Sequence, residues 1–388
     1  MGRGTVTTAL RTRRCEILMG AMRASRRGIQ RRHAGTVLRV AIVAFAVVMA
    51  AIPLPRAFVE TVYSRSAYPI VRQLVTGLSS LTSVVLFDLL LIGVVVALLG
   101  WWTLRLIRAP RGGRLRALTL LAGQTVVFAA AFYLMFLGIW GLNYRRESLG
   151  AQLGYAESRV TGPVLETLTA AAIDNLNRLY DSTQGDSWPQ LDELPARLGP
   201  AFERVQQWLG VSPVMSGLVP KRSLLTPYFR RAGIDGMVDP FFLQILVNET
   251  VLPFERPHVT AHEWAHVAGF AHEAEANFVA WLTCLEGDDA MRYSAWSFLV
   301  SRLLAALPEA PQQRLRAALG PGPRADFAAV RARLNHTIPL VRRTARRIND
   351  RYLKANRVAS GVASYGEVLQ LAVGTDIGRR QWSTVQPD

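Results

Sequence analysis

The sequence predicts a mainly α-helical membrane protein, in which three transmembrane helices near the N-terminus precede a mostly helical domain with one small β element. Two observations support this fold class. Apolar stretches long enough to cross a bilayer fall within the first 144 residues of the 388-residue chain. Helical periodicity and helix caps dominate the remainder, where one helix carries a His-Glu-x-x-His motif from His262 to His266.

A basic tail comes first. Residues 1–39 contain ten arginines and a single acid, which is typical of a solvated segment, and we expect residues 1–36 to form a disordered cytoplasmic tail. A membrane domain, residues 37–144, follows, with spans at about 37–57, 84–104 and 117–142. The first span is short, so a cleaved signal peptide is an alternative interpretation of it.

The distribution of charge predicts the orientation in the membrane. Residues 1–140 carry 18 basic and three acidic residues, whereas residues 141–388 carry 27 and 25, so the net charge of +17 belongs almost wholly to the membrane region. Arginines concentrate in the tail and in the loop 105–116, which the positive-inside rule assigns to the cytoplasm. We therefore expect a multi-pass protein of the cell (inner) membrane with residues 145–388 outside the cytoplasm, in contact with the lipid bilayer and without a nucleic-acid partner.

Helices joined by short loops are predicted for the outer domain, residues 145–388. Periodicity and caps predict helices over 161–180, 191–209, 256–268, 273–286, 288–307, 310–319, 324–355 and 364–373. The large and β-branched residues Phe241–Val247 predict a strand just before the motif helix. Segments 58–82 and 211–236 are expected to be loops, and the first of them is amphipathic.

The motif His262-Glu263-x-x-His266 predicts a metal site. Residues four apart lie on one face of a helix, so both imidazoles can reach the same ion. Glu263 is offset by about 100°, which lets its carboxylate touch a water molecule without binding the metal. Two neutral nitrogens, a third ligand and a nearby carboxylate are what hydrolytic Zn²⁺ sites use. Because the only cysteines are Cys15 and Cys284, a thiolate zinc site is excluded.

Three residues compete for the third ligand position. A following Gly269 and His272 complete the metzincin pattern, but no convincing methionine turn accompanies them. In the gluzincin arrangement, a Glu on a second helix binds the metal and a polar residue one turn later supports a ligand histidine, which Glu273 and Asn277 would match. We favour Glu273, with His272 as the alternative and then Glu275, which points to another face of the helix.

Other residues near the motif are candidates for supporting roles. His258 precedes the motif and could contact substrate or cap the helix. Arg292 and Tyr293 could stabilise the oxyanion of a tetrahedral intermediate, although a structural ion pair is an equally good explanation of the arginine.

Several short blocks of residues carry a resemblance. They are Trp140-Gly-Leu-Asn-Tyr-Arg145, Pro220-Lys221, Val247-Asn248-Glu249, His262-Glu263-x-x-His266-x-x-Gly269, Glu273-x-Glu275-Ala-Asn277-Phe278, Arg292-Tyr293-Ser294, Arg351-Tyr-Leu-Lys354 and Gly361-Val-Ala-Ser-Tyr365. With these blocks the chain, from the second span almost to the C-terminus, resembles a bacterial family of multi-spanning membrane proteins whose outer domain is a gluzincin-like zinc metallopeptidase. The resemblance implies a zincin-like outer domain, a zinc cofactor and peptide hydrolysis. It also favours Glu273 over His272, because the Glu-x-Glu-Ala-Asn run is a feature of that family.

Motif and resemblance together predict a membrane-anchored, zinc-dependent peptidase that cleaves a peptide or protein outside the cytoplasm. Glu263 would act as general base, and the strand at Phe241–Val247 would receive the substrate as an added β-strand. Two alternatives stay open: a catalytically silent, metal-binding scaffold or assembly protein of the envelope, and a non-peptidase membrane protein that uses its basic tail.

Overall fold

The computed structural model of the chain describes residues 33–183, 188–361 and 367–383. The described residues form two compact units: one comprises those up to residue 53 together with 98–135, and the other comprises 54–97 together with those from 136 onward. The predicted tail, 1–36, lies outside the described residues except for 33–36, which begin the first helix.

Three helices are long and apolar enough to cross a membrane, which confirms the prediction of three apolar helices. In chain order, the helices of this part are α1 (His33–Ala51), α2 (Arg56–Phe58), α3 (Tyr68–Ser79), α4 (Leu86–Arg108) and α5 (Arg114–Ile139). The candidate spans are α1, α4 and α5, the last preceded by a 3₁₀ turn. Helix α1 ends before residue 57 because Pro53 and Pro55 lack the backbone donors that a continuing helix needs.

The segment between the first two spans is helical, so the expectation of a loop at 58–82 is wrong. A π-helical stretch, Val59–Ala67, joins α2 to α3 without a break. Val59, Tyr63 and Tyr68 are buried, and Tyr63 donates a hydrogen bond from its hydroxyl to the Gly138 carbonyl at 3.1 Å. Burial of these large side chains stabilises the helix where the local sequence, with its serines and arginine, does not.

Most of the remaining helices agree with the predicted series, but the long helix predicted at 324–355 is divided in two. The remaining helices are α6 (Leu149–Gln152), α7 (Gly162–Thr183), α8 (Leu194–Trp208), α9 (Thr226–Ala232), α10 (Arg256–Val267), α11 (Glu273–Leu285), α12 (Asp289–Ala306), α13 (Glu309–Ala317), α14 (Pro321–Asn335), α15 (Pro339–Ala355), α16 (Val368–Gly374) and α17 (Asp376–Ser383). The division falls at Pro339, whose ring disfavours a helical conformation at the preceding Ile338. Helix α9 lies inside the predicted loop 211–236, which is therefore partly helical, and helices α6 and α17 were not predicted.

A small antiparallel sheet precedes the motif helix. Its strands are β1 (Gly236–Val238) and β2 (Ile245–Val247), in a register that pairs Met237 with Leu246. Only the last three residues of the predicted strand, Phe241–Val247, are extended, and β1, which was not predicted, begins at the last residue of the predicted loop 211–236. The residues before β2 form a turn, because the Asp239 carboxylate accepts backbone hydrogen bonds from residues 241, 242 and 244.

Three tryptophans form the centre of the helical core. Trp264 on α10, Trp281 on α11 and Trp296 on α12 are fully buried, and the last two pack against Trp382 of α17. Aromatic pairs of this kind contribute roughly 0.5–1.5 kcal/mol each beyond the burial of their area. Helices α10, α11 and α12, which carry the motif and its flanking residues, are therefore packed on a rigid aromatic core.

Candidate metal centre

Helix α10 carries the motif and ends at a sharp turn. Pro257 occupies its first turn, where the missing N–H costs nothing, and the helix ends at Val267. Gly269 has φ +102°, a conformation that residues with side chains rarely adopt. The chain reverses there, and α11 begins four residues later at Glu273. The reversal brings the first turn of α11 against the last turns of α10.

Three candidate ligands converge at this reversal. One ligand atom from each of His262, His266 and Glu273 lies within 4.8 Å of the others. Oε2 of Glu273 is 3.2 Å from Nε2 of His262 and 3.6 Å from Nε2 of His266. The two Nε2 atoms are 3.1 Å apart. Both histidines and the glutamate thus occupy the positions that the motif predicts, and the three form the one such group found among the described residues.

The hydrogen bonds of His266 prepare it to bind a cation. Its Nδ1 lies 2.8 Å from the Phe270 carbonyl oxygen, which can only accept, so Nδ1 carries the proton and Nε2 presents a lone pair to the cluster. Oε2 of Glu273 is buried and receives no hydrogen bond of standard geometry. Lone pairs converging at such short distances repel unless a cation or a proton lies between them. This donor set therefore fits Zn²⁺, which binds imidazole nitrogen and carboxylate oxygen.

The pKa values of the three residues also reflect how close their side chains are to one another. Burial opposes the charged form of His266, but the charge of Glu273 outweighs it and raises the His266 pKa to about 9. Burial also works against the charged form of Glu273, yet the two histidines hold its pKa far below the ordinary range. Burial lowers the pKa of His262. A proton shared by His266 and Glu273 thus relieves part of the repulsion between their lone pairs, as a bound cation would.

Glu263 lies beside the cluster and against the sheet. Its carboxylate is so close to Gly236 of β1 that a methyl group there would approach Oε1 to 2.5 Å. Burial raises the pKa of Glu263 to about 8, against the charge of His266 and a hydrogen bond from the Val238 backbone, which lower it. The arrangement holds a proton-accepting oxygen between the candidate metal ligands and the edge of β1.

The other predicted ligands point elsewhere. His272 immediately precedes α11, and its ring packs edge-on against Tyr144 at 5.9 Å between centroids. Glu275 turns its Oε1 to the Leu149 amide, which donates to it at 2.6 Å. Neither belongs to the converging group. Asn277 lies close enough to His262 to favour its protonated form, although Nδ1 of His262 forms no hydrogen bond of standard geometry.

The residues proposed for substrate or oxyanion contact are engaged with other partners. Tyr293 donates its hydroxyl hydrogen to Asp326, and Arg292 forms an exposed ion pair with Asp289. His258 is buried with its ring stacked on Phe298, at 3.7 Å between centroids. Of these three side chains, His258 is the nearest to the cluster, with its ring 6.4 Å from that of His262.

A tyrosine that the motif does not predict interacts electrostatically with the cluster. Tyr352 of α15 shares a hydrogen bond with Tyr144, and its phenol is close enough to Glu273 for that charge to affect it. Burial is the main cause of its raised pKa, so the hydroxyl remains a proton donor at neutral pH. The residue as a whole is 36% exposed. The block Arg351-Tyr-Leu-Lys354 was the only sequence signal for it.

Three side chains from distant parts of the chain bind the carbonyls at the end of α10. Trp140 donates Nε1–H to the His266 carbonyl at 3.1 Å, and Tyr68 donates its hydroxyl to that of Val267 at 2.7 Å. Arg146 donates Nη1–H to the Gly269 carbonyl at 3.1 Å. Helix ends leave their last carbonyls without partners, so these donors fix the turn that separates His266 from Glu273.

Fold and site define a mostly helical protein with three helices able to cross a membrane and a buried His-His-carboxylate cluster suited to a metal ion. The chain belongs to the family described as "Protein of unknown function (DUF3810)", whose profile matches residues 63–373. No curated protein and no solved structure matches the chain. The family description names no activity.

Proposed function

We propose that the chain is a membrane-anchored, zinc-dependent peptidase. The observation that carries the proposal is the convergence of His262, His266 and Glu273 within 4.8 Å, with the Glu263 carboxylate beside them. Zn²⁺ held by the three ligands would supply a Lewis acid and lower the pKa of a water molecule enough for it to attack at neutral pH.

The chain's own residues would move the protons and position the substrate. Glu263 accepts a proton from the attacking water as the C–O bond forms, and donates it to the amide nitrogen as the C–N bond breaks. Tyr352 would donate its phenolic hydrogen to the carbonyl oxygen as negative charge develops there. We assign this role to Tyr352 rather than to Arg292 or Tyr293, because both of these are held by carboxylates outside the cluster.

Strand β1 is the better candidate for binding an extended peptide, and the earlier expectation for Phe241–Val247 is revised. Strand β2 pairs with β1 on one edge and forms a parallel bridge with Lys221 on the other, where the Lys221 amide donates to the Ile245 carbonyl at 2.7 Å. On the side of β1 away from β2, the Val238 amide donates to the Glu263 carboxylate, and no backbone pairing occurs there within the described residues. A peptide added there would pass beside the carboxylate.

The arginine asymmetry supports an orientation in which the cluster faces away from the cytoplasm. In that orientation, in a bacterial cell (inner) membrane, the substrate would be an extracytoplasmic peptide or protein. The small net charge of residues 141–388, which have 27 basic and 25 acidic residues, gives no preference for an acidic or a basic substrate.

Metal content and hydrolysis of the full-length protein test the proposal together. The protein would be purified in detergent, its zinc measured by mass spectrometry, and its activity measured on a mixture of internally quenched fluorogenic peptides. Glu263→Gln is expected to retain zinc and to lose activity by about 10²–10⁴-fold. The double variant His262→Ala/His266→Ala is expected to lose both zinc and activity. Glu286→Gln, the same change at the end of α11, is the matched control and should preserve both.

Two results would overturn parts of the proposal. Equal zinc content in wild type and in the double histidine variant would refute the metal centre itself. Stoichiometric zinc in a wild-type protein that cleaves none of the peptides, with Glu263→Gln showing no effect in cells, would replace the peptidase with a silent metal-binding scaffold of the envelope.

A further inference from the structure

Helix α15 presents an apolar row beside a basic row to solvent. Leu340 and Ile348 lie eight residues apart, about 80° from one another around the helix axis, and are 68% and 60% exposed. Arg343, Arg347 and Arg351 follow one another at intervals of four along the neighbouring row, and all three are exposed. Among the described residues, Arg347 and Arg351 form no ion pair, and the single acid of the helix, Asp350, pairs with Lys354 at 2.8 Å. An exposed apolar row flanked by arginines is the pattern of helices that lie in a membrane interface.

The beginning of α15 is connected to the start of the second span through α9. Asp88, in the first turn of α4, accepts hydrogen bonds from the Ser223 hydroxyl at 2.7 Å and from the Leu224 amide at 2.8 Å. These residues lead into α9, whose Arg231 carbonyl accepts a hydrogen bond from the Ile338 amide at 2.9 Å. Pro339 then begins α15.

The end of α15 is placed by the end of the third span. Tyr352 packs edge-on against Phe136, with ring centroids 6.2 Å apart, and Phe136 lies in the last turn of α5. Helices α4 and α5 follow one another with a short connection, so the start of α4 and the end of α5 emerge on the same side of a bilayer that both cross. The beginning of α15 is therefore linked through α9 to the start of α4, and its end contacts the end of α5.

We propose that α15 docks on the anionic phospholipid headgroups of the bilayer that α4 and α5 cross. The row Arg343, Arg347 and Arg351 would pair with lipid phosphates, and Leu340 and Ile348 would enter the boundary between headgroups and acyl chains. Leu224, which is 72% exposed and bonded to the first turn of α4, extends the apolar contact toward the span. The proposal depends on membrane insertion of α4 and α5 and not on hydrolysis.

The choice of lipid over a protein partner rests on position and charge. A helix held between two span ends is continuous with the bilayer, whereas an incoming protein would have to approach at the same level. Each arginine near an anionic surface improves binding by about fivefold, the factor that corresponds to ~1 kcal/mol. Three exposed arginines in one row match a surface of closely spaced phosphates better than they match a single acidic side chain.

Environment-sensitive fluorescence on the full-length protein tests the docking. Ile348→Cys, in a Cys15→Ser background that leaves the buried Cys284 in place, would carry an NBD label. The protein would be reconstituted in nanodiscs of phosphatidylcholine alone or mixed with phosphatidylglycerol. We expect the label to shift to the blue and to be quenched by spin-labelled lipid, more strongly with phosphatidylglycerol. Ala328→Cys, at an exposed position on α14, is the matched control and should stay accessible to aqueous iodide in both discs.

Charge variants separate the lipid from other occupants. Each Arg→Gln substitution at 343, 347 or 351 should lower the docked-to-undocked ratio by about fivefold in phosphatidylglycerol discs and change little in phosphatidylcholine. Equal accessibility of position 348 to iodide in both discs would overturn the proposal. So would shielding that is independent of lipid charge and rises with protein concentration, because that result would indicate contact between copies of the chain. An unchanged thermal unfolding midpoint confirms that each variant is folded.

Discussion

Gly236→Ala tests most directly whether Glu263 occupies a catalytic position. A methyl group on Gly236 would lie 2.5 Å from Oε1 of Glu263, and also 3.0 Å from its Cδ and 3.1 Å from its Cγ. Ordinary contact begins at 3.4 Å, so Oε1 would have to retreat by about 0.9 Å. The motif helix is packed on all sides and moves less readily than a side chain, so the carboxylate absorbs the displacement.

A displacement of this size is expected to reduce the rate and to spare the metal. Misplacing a catalytic group by about 1 Å costs on the order of 10²-fold, or about 2.7 kcal/mol of barrier. The methyl group meets none of His262, His266 or Glu273 among its nearest neighbours. Zinc stoichiometry should therefore equal that of wild type while kcat on the fluorogenic peptides falls about 10²-fold.

The matched control for this substitution is Gly199→Ala in helix α8. A methyl group there would meet nothing closer than 3.7 Å, so activity and zinc content should both be unchanged. Wild-type kcat in Gly236→Ala, with zinc still bound, would refute the assignment of Glu263 as the proton acceptor. Loss of zinc together with activity would show instead that β1 supports the ligands rather than the base.

Three further predictions concern the phenol, the ion pair and the metal. Tyr352→Phe should lower kcat by about 10²-fold with little change in KM, because the hydroxyl acts only as charge develops. Glu60→Gln should destabilise the protein at neutral pH by roughly 3–5 kcal/mol, since it leaves the buried Arg146 without its partner. Burial opposes the charge of Glu60, but Arg146 and Arg65 outweigh it and lower its pKa, so this contribution is present above the ordinary glutamate range and disappears as pH falls through the depressed pKa. Removal of zinc with a chelator should lower the thermal midpoint, by an amount equivalent to about 4 kcal/mol if free zinc had exceeded Kd a thousandfold.

Each of these predictions has a result that contradicts it. An equal fall in kcat for Tyr352→Phe and for Tyr228→Phe, an exposed tyrosine on α9, would indicate a general effect on the fold. A constant difference in stability between wild type and Glu60→Gln from neutral to strongly acidic pH would rule out a charged Glu60. An unchanged midpoint after chelation, with the zinc shown to be gone, would separate metal binding from folding.

The motif residues could be predicted from the sequence because their information is local. The spacing of His262 and His266 is a property of a single helix, and Gly269 signals the turn within three residues of it. The same local information placed Glu273 on the next helix. It could not place Tyr352, which reaches the cluster from a helix nearly 80 residues later along the chain and carries no spacing rule.

Local patterns also failed where tertiary contacts decide the structure. The segment 58–82 contains serines and charges that suggest a loop, yet burial of Val59, Tyr63 and Tyr68 makes it helical. Strand β1 contains a glycine and only three residues, and it is extended because β2 and Glu263 lie on its two sides. Tyr293 was a reasonable candidate by position, but only the fold reveals Asp326 as its partner, whereas the pairing of Arg292 with Asp289 is local to one helix.

The donors that bind the end of α10 have a consequence for how the protein is made. Tyr68 is synthesised 199 residues before the Val267 carbonyl that it binds, and the Glu60 that pairs with Arg146 precedes it by 86 residues. Residues 54–97 leave the ribosome ahead of α5, yet they belong to the same compact unit as residues 136–388. Glu60 and Tyr68 can therefore form their contacts with Arg146 and Val267 only after the later part of the chain has been synthesised. Expression of residues 145–388 alone would omit that segment together with Trp140, so the excised fragment should fail to close the turn that carries the metal ligands.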